Sequence, residues 1–321
     1  MSTGLASRHR GLLGIVALCA LPMLVGCGGG DRLGGSTRIS DCVDPAEAHS
    51  ADIRRTLPQL RGKPVCYRLQ QVAEGGFRWV FHILEHTERP GGPFWVLPHD
   101  NENDAFDTAV HGVLTYGGGL LMVDAGGGRQ YRGQDPNRNF SISAAESRLC
   151  VGQRRPAPRY TRAILSHYRN HGRGGHGPYL ALHNNSDGHT GNGGWGNVSM
   201  DRPERMVSRW PGRRVGSAAL SDEDNLIFMA GTRPAYRDPA VRRRIAQLNR
   251  VGLNVIHKHV TSGSFDCSMS DYVARHRLGE DFNIEAEHGA AITQSEMLDR
   301  LMAVLGVPPL RGESIPSPFL D

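Results

Sequence analysis

The pattern of hydrophobic and polar positions is most informative between Phe94 and Phe140. FWVL is a short apolar run, PHDNEND a polar turn, and AFDTAVHGVL places Phe106, Val110, Val113 and Leu114 at helical spacing. Asn103 or Asp104 is expected to cap this helix, and the glycines at 117–119 to stop it before the strand LLMVD. A β-α-β unit of this kind puts the turn after FWVL at the carboxyl edge of a sheet. Ligand sites in open α/β folds usually lie there.

Further strands are expected in FRWVFHILE, TRAILSH, PYLALH, NLIFMAG, GLNVIHKH and DFNIEAE. A helix should begin near Asp238-Pro239 and end before Gly252, and SEMLDRLMAVLG should form an amphipathic helix with Met297, Leu298, Leu301, Met302 and Leu305 on its apolar side. Strands interleaved with helices imply an α/β class: a three-layer domain with a mixed, mostly parallel central sheet flanked by helices. The glycine-rich span from Gly172 to Gly196 is long for a connection and is expected to form loops around a site. With no internal repeat or second linker, residues 41–321 read as one domain.

The N-terminus changes the compartment. Arg8 and Arg10 precede the apolar segment GLLGIVALCALPMLVG, of secretory-signal length, and Leu24-Val25-Gly26-Cys27 looks like the lipobox of bacterial lipoproteins. Residues 1–26 are thus expected to be a signal peptide, Cys27 the lipidated residue, and 27–40 a glycine- and serine-rich flexible tether. The domain would sit in the cell envelope, anchored to a bacterial membrane and facing the periplasm or exterior. Beyond Cys19 and Cys27 four cysteines remain, an even number that suits two disulfides in an oxidising compartment. Of the three connectivities, Cys42 with Cys66 and Cys150 with Cys267 is preferred. The formal charge of +5 is modest, almost all cations are Arg, and no aromatic and basic stripe is present, which argues against a nucleic-acid partner.

In the turn after FWVL stand His99 and Glu102. An imidazole and a carboxylate three residues apart can share one zinc ion if the backbone curls, and a catalytic zinc needs a third protein ligand and an open position. His82 and Glu85 show the same spacing, but in a strand residues three apart point to opposite faces. A third ligand is expected from His183, which follows the apolar run of PYLALH.

His99-x-x-Glu102, then Asp135-Pro136-Asn137-Arg138-Asn139-Phe140, then His183, then Asn283-Ile284-Glu285 resembles, in that order, the zinc metallocarboxypeptidases of the carboxypeptidase A type and their relatives. The resemblance runs from about residue 94 to 290. It implies one Zn2+ per chain on His99, Glu102 and His183, with Asp135 orienting His99. Asn137 and Arg138 would bind the terminal carboxylate of the substrate, a pairing to which the planar guanidinium fork is suited. Glu285 would be general base and then acid, with Glu287 on the same strand face as the fallback and His288 as a supporting group. Arg129, in competition with Arg132, would stabilise the oxyanion.

Two departures stand out: Pro136 replaces the small or aliphatic residue usual at its place, and Tyr272 is merely available as a substrate-capping tyrosine. The function expected is a zinc-dependent hydrolase that removes a C-terminal amino acid from a cell-envelope peptide, for example a peptidoglycan stem peptide. Two alternatives remain. One is an acyl-amino-acid hydrolase like the succinylglutamate desuccinylase and aspartoacylase group. The other is a peptide-binding lipoprotein without catalysis.

Overall fold

The computed structural model describes residues 36–150, 155–171, 177–186, 198–202 and 204–310. The signal, Cys27, most of the tether and most of the Gly172–Gly196 span lie outside these residues. Among the described residues no helix is long and apolar enough to cross a membrane.

The chain runs β1 (Thr37–Ile39), α1 (Ala51–Leu60), β2 (Val65–Glu74), β3 (Phe77–His86), β4 (Phe94–Leu97), α2 (Asn103–Tyr116) and β5 (Gly119–Asp124). It continues through α3 (Ala144–Ser147), α4 (Pro158–Asn170), β6 (Tyr179–Asn185), β7 (Val207–Trp210), β8 (Leu226–Gly231), α5 (Pro239–Arg250), β9 (Asn254–His259), α6 (Met269–His276), β10 (Asp281–Glu287) and α7 (Ala291–Val304). Among the described residues ten strands form one mixed sheet in the order β1-β2-β3-β5-β4-β6-β10-β8-β9-β7. β1 falls inside the stretch read as tether and pairs with β2.

The α/β class holds, but the expected mostly parallel sheet does not. Pairs β1–β2, β2–β3, β3–β5, β10–β8 and β9–β7 are antiparallel; β5–β4, β4–β6, β6–β10 and β8–β9 are parallel. The difference comes in part from β1, β2 and β7, which the pattern did not mark and which pair antiparallel. β2 and β3, ten residues each, form a hairpin closed by Gly75 and Gly76, both at positive φ (60° and 88°). A two-residue turn with both residues left-handed matches the twist of antiparallel strands, and glycine adopts it without steric cost.

The central β-α-β unit is as the pattern implied. FWVL is buried along its whole length, as a strand between two neighbours under helices must be. β4 and β5 are parallel neighbours, with Phe94 opposite Gly119. Helices flank both faces. Ile53, Phe106, Val110, Val113, Ile245, Leu298 and Leu301 bury one apolar cluster, and Phe81, Phe94, Tyr160, Ile164, Tyr168, Tyr272 and Val273 the other. Each face removes most of its large side chains from water, which is the main stabilising term for such a domain.

Two local expectations are corrected. TRAILSH is part of helix α4, not a strand; Tyr160, Ile164 and Tyr168, at spacings of four, pack under it, and Pro158 occupies the first turn. The first-turn N–H groups of Arg159 and Tyr160 donate to the Glu74 carboxylate of the distant β2 hairpin, at 3.0 Å each. Helix α2 is capped neither by Asn103 nor by Asp104. Glu102 holds the cap position with its side chain turned away, Asn184 of β6 accepts from Ala105 N–H at 3.1 Å, and Asp104 accepts from Gly289 N–H at 2.7 Å. α5, α7, β8, β9 and β10 fall where the pattern put them. Both disulfides follow the preferred pairing, Cys42–Cys66 and Cys150–Cys267.

Candidate metal centre

The carboxyl ends of β4, β6 and β10 lie side by side, and the candidate site stands on them. Val96 is opposite Ala181 and His183 opposite Glu285. His99, two residues past β4, therefore arrives at the level of His183 on the neighbouring strand. Parallel pairing alone thus gathers residues that are 84 and 102 positions apart in sequence (His99 to His183, His183 to Glu285).

His99, Glu102 and His183 converge. His99 Nδ1 is 2.8 Å from Glu102 Oε1 and 3.0 Å from His183 Nδ1, and His183 Nδ1 is 3.1 Å from Glu102 Oε2. All three side chains are buried. The polar turn curls so that residues at i and i+3 face each other because Glu102 begins helix α2. His82 and Glu85, by contrast, diverge as a strand requires: His82 meets Tyr67 and Asp124, and Glu85 meets Arg68.

The donor set fits a metal ion. His99 Nε2 donates to Asp135 Oδ1 at 2.9 Å, so in the neutral ring that a metal requires the lone pair falls on Nδ1, towards Glu102 and His183. The separations of 2.8–3.1 Å are a little tighter than the roughly 3.3 Å between ligands of a tetrahedral ion at about 2.0–2.1 Å. Burial would raise the Glu102 carboxyl, but the charges of His99 and His183 outweigh it and hold it well below the usual carboxylate range. Burial would likewise raise Asp135, yet its bond to His99 and the charges of Arg138 and Arg129 hold it at about 2. Both carboxylates are ionised at neutral pH, as ligand and supporting group should be.

Asp135 caps a 3-10 turn, Pro136–Arg138, and accepts from Asn137 N–H at 2.8 Å. Pro136 suits the first position of that turn, where its fixed φ is preorganised and its missing N–H costs nothing. Tyr160 OH donates to the Pro136 carbonyl at 2.9 Å and ties the turn to α4. The turn presents Asn137 and Arg138 to the cleft. Asn137 Oδ1 accepts from Met269 N–H at 3.1 Å, with its amide 3.3 Å from His183 Nε2. The Arg138 guanidinium stands 3.7 Å from Asp266, a carboxylate also bound by Lys258 at 3.1 Å.

One small cleft is lined by Glu102, Arg129, Asn137, Arg138, His183 and Glu285. Arg129 Nη1 donates to Glu102 Oε1 at 2.9 Å, while its Nε lies 3.8 Å from Asp135, beyond hydrogen-bond reach. Arg132 is elsewhere, at positive φ and stacked on Tyr131. Glu285 accepts from Asn283 Nδ2 at 2.6 Å; burial raises its carboxyl above the usual range, although His183 and Arg129 pull it down. Glu287 is gathered instead with Asp222 and Asp224. His288 donates its backbone N–H to Asn185, and Tyr272 is buried against Phe140 and His276 rather than at the cleft.

Several supporting residues carry no sequence signal. Asp100 accepts from the backbone of Ala125 and Gly127, and Gln294 of α7 donates to the His183 carbonyl at 2.7 Å. Asp100 could have been noticed only as a second acid in the PHDNEND turn.

Neither the scan against protein-family models nor the search of curated proteins finds a match for this chain.

Proposed function

We propose that this chain is a zinc-dependent hydrolase resembling metallocarboxypeptidases, built on a three-layer fold of that type. The observation that carries the reading is the convergence of His99, Glu102 and His183 in a cleft that also holds Glu285, Asn137, Arg138 and Arg129. Bound by the first three residues, Zn2+ would polarise a substrate carbonyl and lower the pKa of a water towards 7. Glu285 takes a proton from the attacking water and delivers it to the leaving amine; its raised carboxyl suits that exchange. Arg129 supports the charge that develops on the carbonyl oxygen. Arg138 and Asn137 hold the carboxylate of the residue to be released. Lipid on Cys27 would keep the enzyme at the membrane, with a peptide of the cell envelope as substrate.

The test is metal content of the purified domain, wild type beside His183→Ala, with amino-acid release from peptides bearing free or amidated C-termini. About one zinc lost in the variant, with release only from free C-termini, is the expected result. Release regardless of the terminal carboxylate would move the assignment to N-acyl amino acids. A zinc content that does not fall in His183→Ala would overturn the centre.

A further inference from the structure

At the opposite edge of the sheet a second group of ligating side chains comes together. Glu85 pairs with Gly119, the first residue of β5, which in turn is opposite Phe94, the first of β4. This is the amino edge, whereas the candidate centre stands on the carboxyl edge. Glu85 points to the face covered by α4, whose last turn brings down His167 and His171. One ligand atom from each of the three lies within 4.8 Å of the others.

We propose that Glu85, His167 and His171 form a second metal site for a divalent ion of the zinc class. His171 Nε2 is 3.9 Å from Glu85 Oε1, too far for a hydrogen bond and wider than the roughly 3.3 Å between ligands of a tetrahedral ion, so a small side-chain movement would close the pair round one ion. The other Glu85 oxygen accepts from Arg68 Nε at 2.8 Å, which aims the carboxylate. His167 Nε2 donates to Gln70 Oε1 at 2.9 Å and leaves the lone pair of the neutral ring on Nδ1. A ligating imidazole is usually held in this way, through its other nitrogen.

Nδ1 of His171 makes no hydrogen bond of normal geometry, although the Pro90 carbonyl faces the ring. Phe94 stacks on the His167 imidazole, with centroids 5.1 Å apart, and packs tilted by 34° against that of His171 at 4.5 Å. His171 also borders a cavity of about 260 Å3 at the amino edge, through which an ion and a water ligand can arrive.

The ion would pin the last turn of α4 to β3. Arg68 beside Glu85 opposes it electrostatically, so this site binds more weakly than the centre at His99. Two imidazoles and one carboxylate with an open fourth position favour zinc over calcium or magnesium, which prefer oxygen.

The test uses the metal-stripped, disulfide-intact full chain, titrated with Zn2+ against a chelating dye. Wild type should take two equivalents, His183→Ala one, His171→Gln one, and the double variant none. In the His183→Ala background, Glu85→Gln should weaken the remaining site at least tenfold, while metal-free His171→Gln should melt within a few degrees of wild type. Zinc-edge absorption on His183→Ala should show two imidazoles. A His183→Ala protein that binds no zinc, or whose equivalent survives His171→Gln, or whose zinc has only oxygen neighbours, overturns the proposal. Failure of the candidate centre reads differently: His183→Ala would then keep every equivalent of the wild type.

Discussion

Asp100 Oδ2 accepts a hydrogen bond from Gly127 N–H at 2.6 Å, and a second from Ala125 N–H at 2.9 Å. The residue next to a candidate metal ligand thus fastens the loop that carries Arg129. Burial raises the Asp100 carboxyl and the two N–H bonds oppose that shift. Asp100→Ala would remove the acceptor of both N–H groups, at a cost of about 0.5–1.5 kcal/mol per bond because water can reach this loop. It should lower kcat by about tenfold or more while changing KM by less than about threefold, because Arg129 would act only as charge develops. Steady-state kinetics beside a denaturant titration separates the two effects. An unchanged kcat would show that the loop does not place Arg129.

Asp135 holds His99 from behind. Asp135→Asn keeps the shape but removes the charge that fixes the ring tautomer, so zinc affinity at this centre should fall about 10- to 100-fold. Competition with a chelating dye measures it. Affinity equal to wild type would remove Asp135 from the supporting role.

Arg138→Lys should raise KM for peptides with free C-termini about tenfold and leave the weak competitive inhibition by amidated peptides unaffected, since a lysine cannot form two parallel bonds to a carboxylate. The expected contrast lies between the two ligands. Equal effects on both would mean that Arg138 does not meet the terminal carboxylate.

The Cys150–Cys267 disulfide closes a sequence separation of 117 residues and anchors the segment whose Met269 N–H holds Asn137. Replacing both cysteines with serine should cost about 2–5 kcal/mol of stability. KM should rise as well, through Asn137. Denaturant midpoints with activity on the refolded variant check both.

His257 is 1 % exposed, and neither ring nitrogen has a hydrogen-bond partner. Burial lowers it to about 4, with His259 acting in the same direction and Asp238 opposing. Between pH 6.5 and 4 the unfolded chain therefore binds a proton there that the folded chain does not. Stability must fall as pH drops through this window, by up to about 3 kcal/mol from this residue. His257→Leu should flatten that limb of the stability profile, and a slope equal to wild type would discount the residue.

Much of the architecture was legible because local pattern and final environment agree. FWVL is apolar throughout and lies at the centre of the sheet; DFNIEAE alternates, with Phe282 and Ile284 on one face and Asn283 and Glu285 on the other. His99, Glu102 and His183 could be read from spacing and residue type, and Asp135, Asn137 and Arg138 from the resemblance; parallel register brings His99 level with His183, and a separate turn carries the other three.

What the sequence by itself determined was the set of local periods, the turn glycines and the ligating residue types, because these depend on neighbours within a few positions. The tertiary structure alone decided which partner lies across the sheet. Glu74 caps α4 from another hairpin, Asn184 caps α2, Asp100 holds the Arg129 loop, and Glu85, unable to share a metal with His82, meets His167 and His171. Each depends on strand order and register, which a one-residue slip would reverse and which no local spacing records.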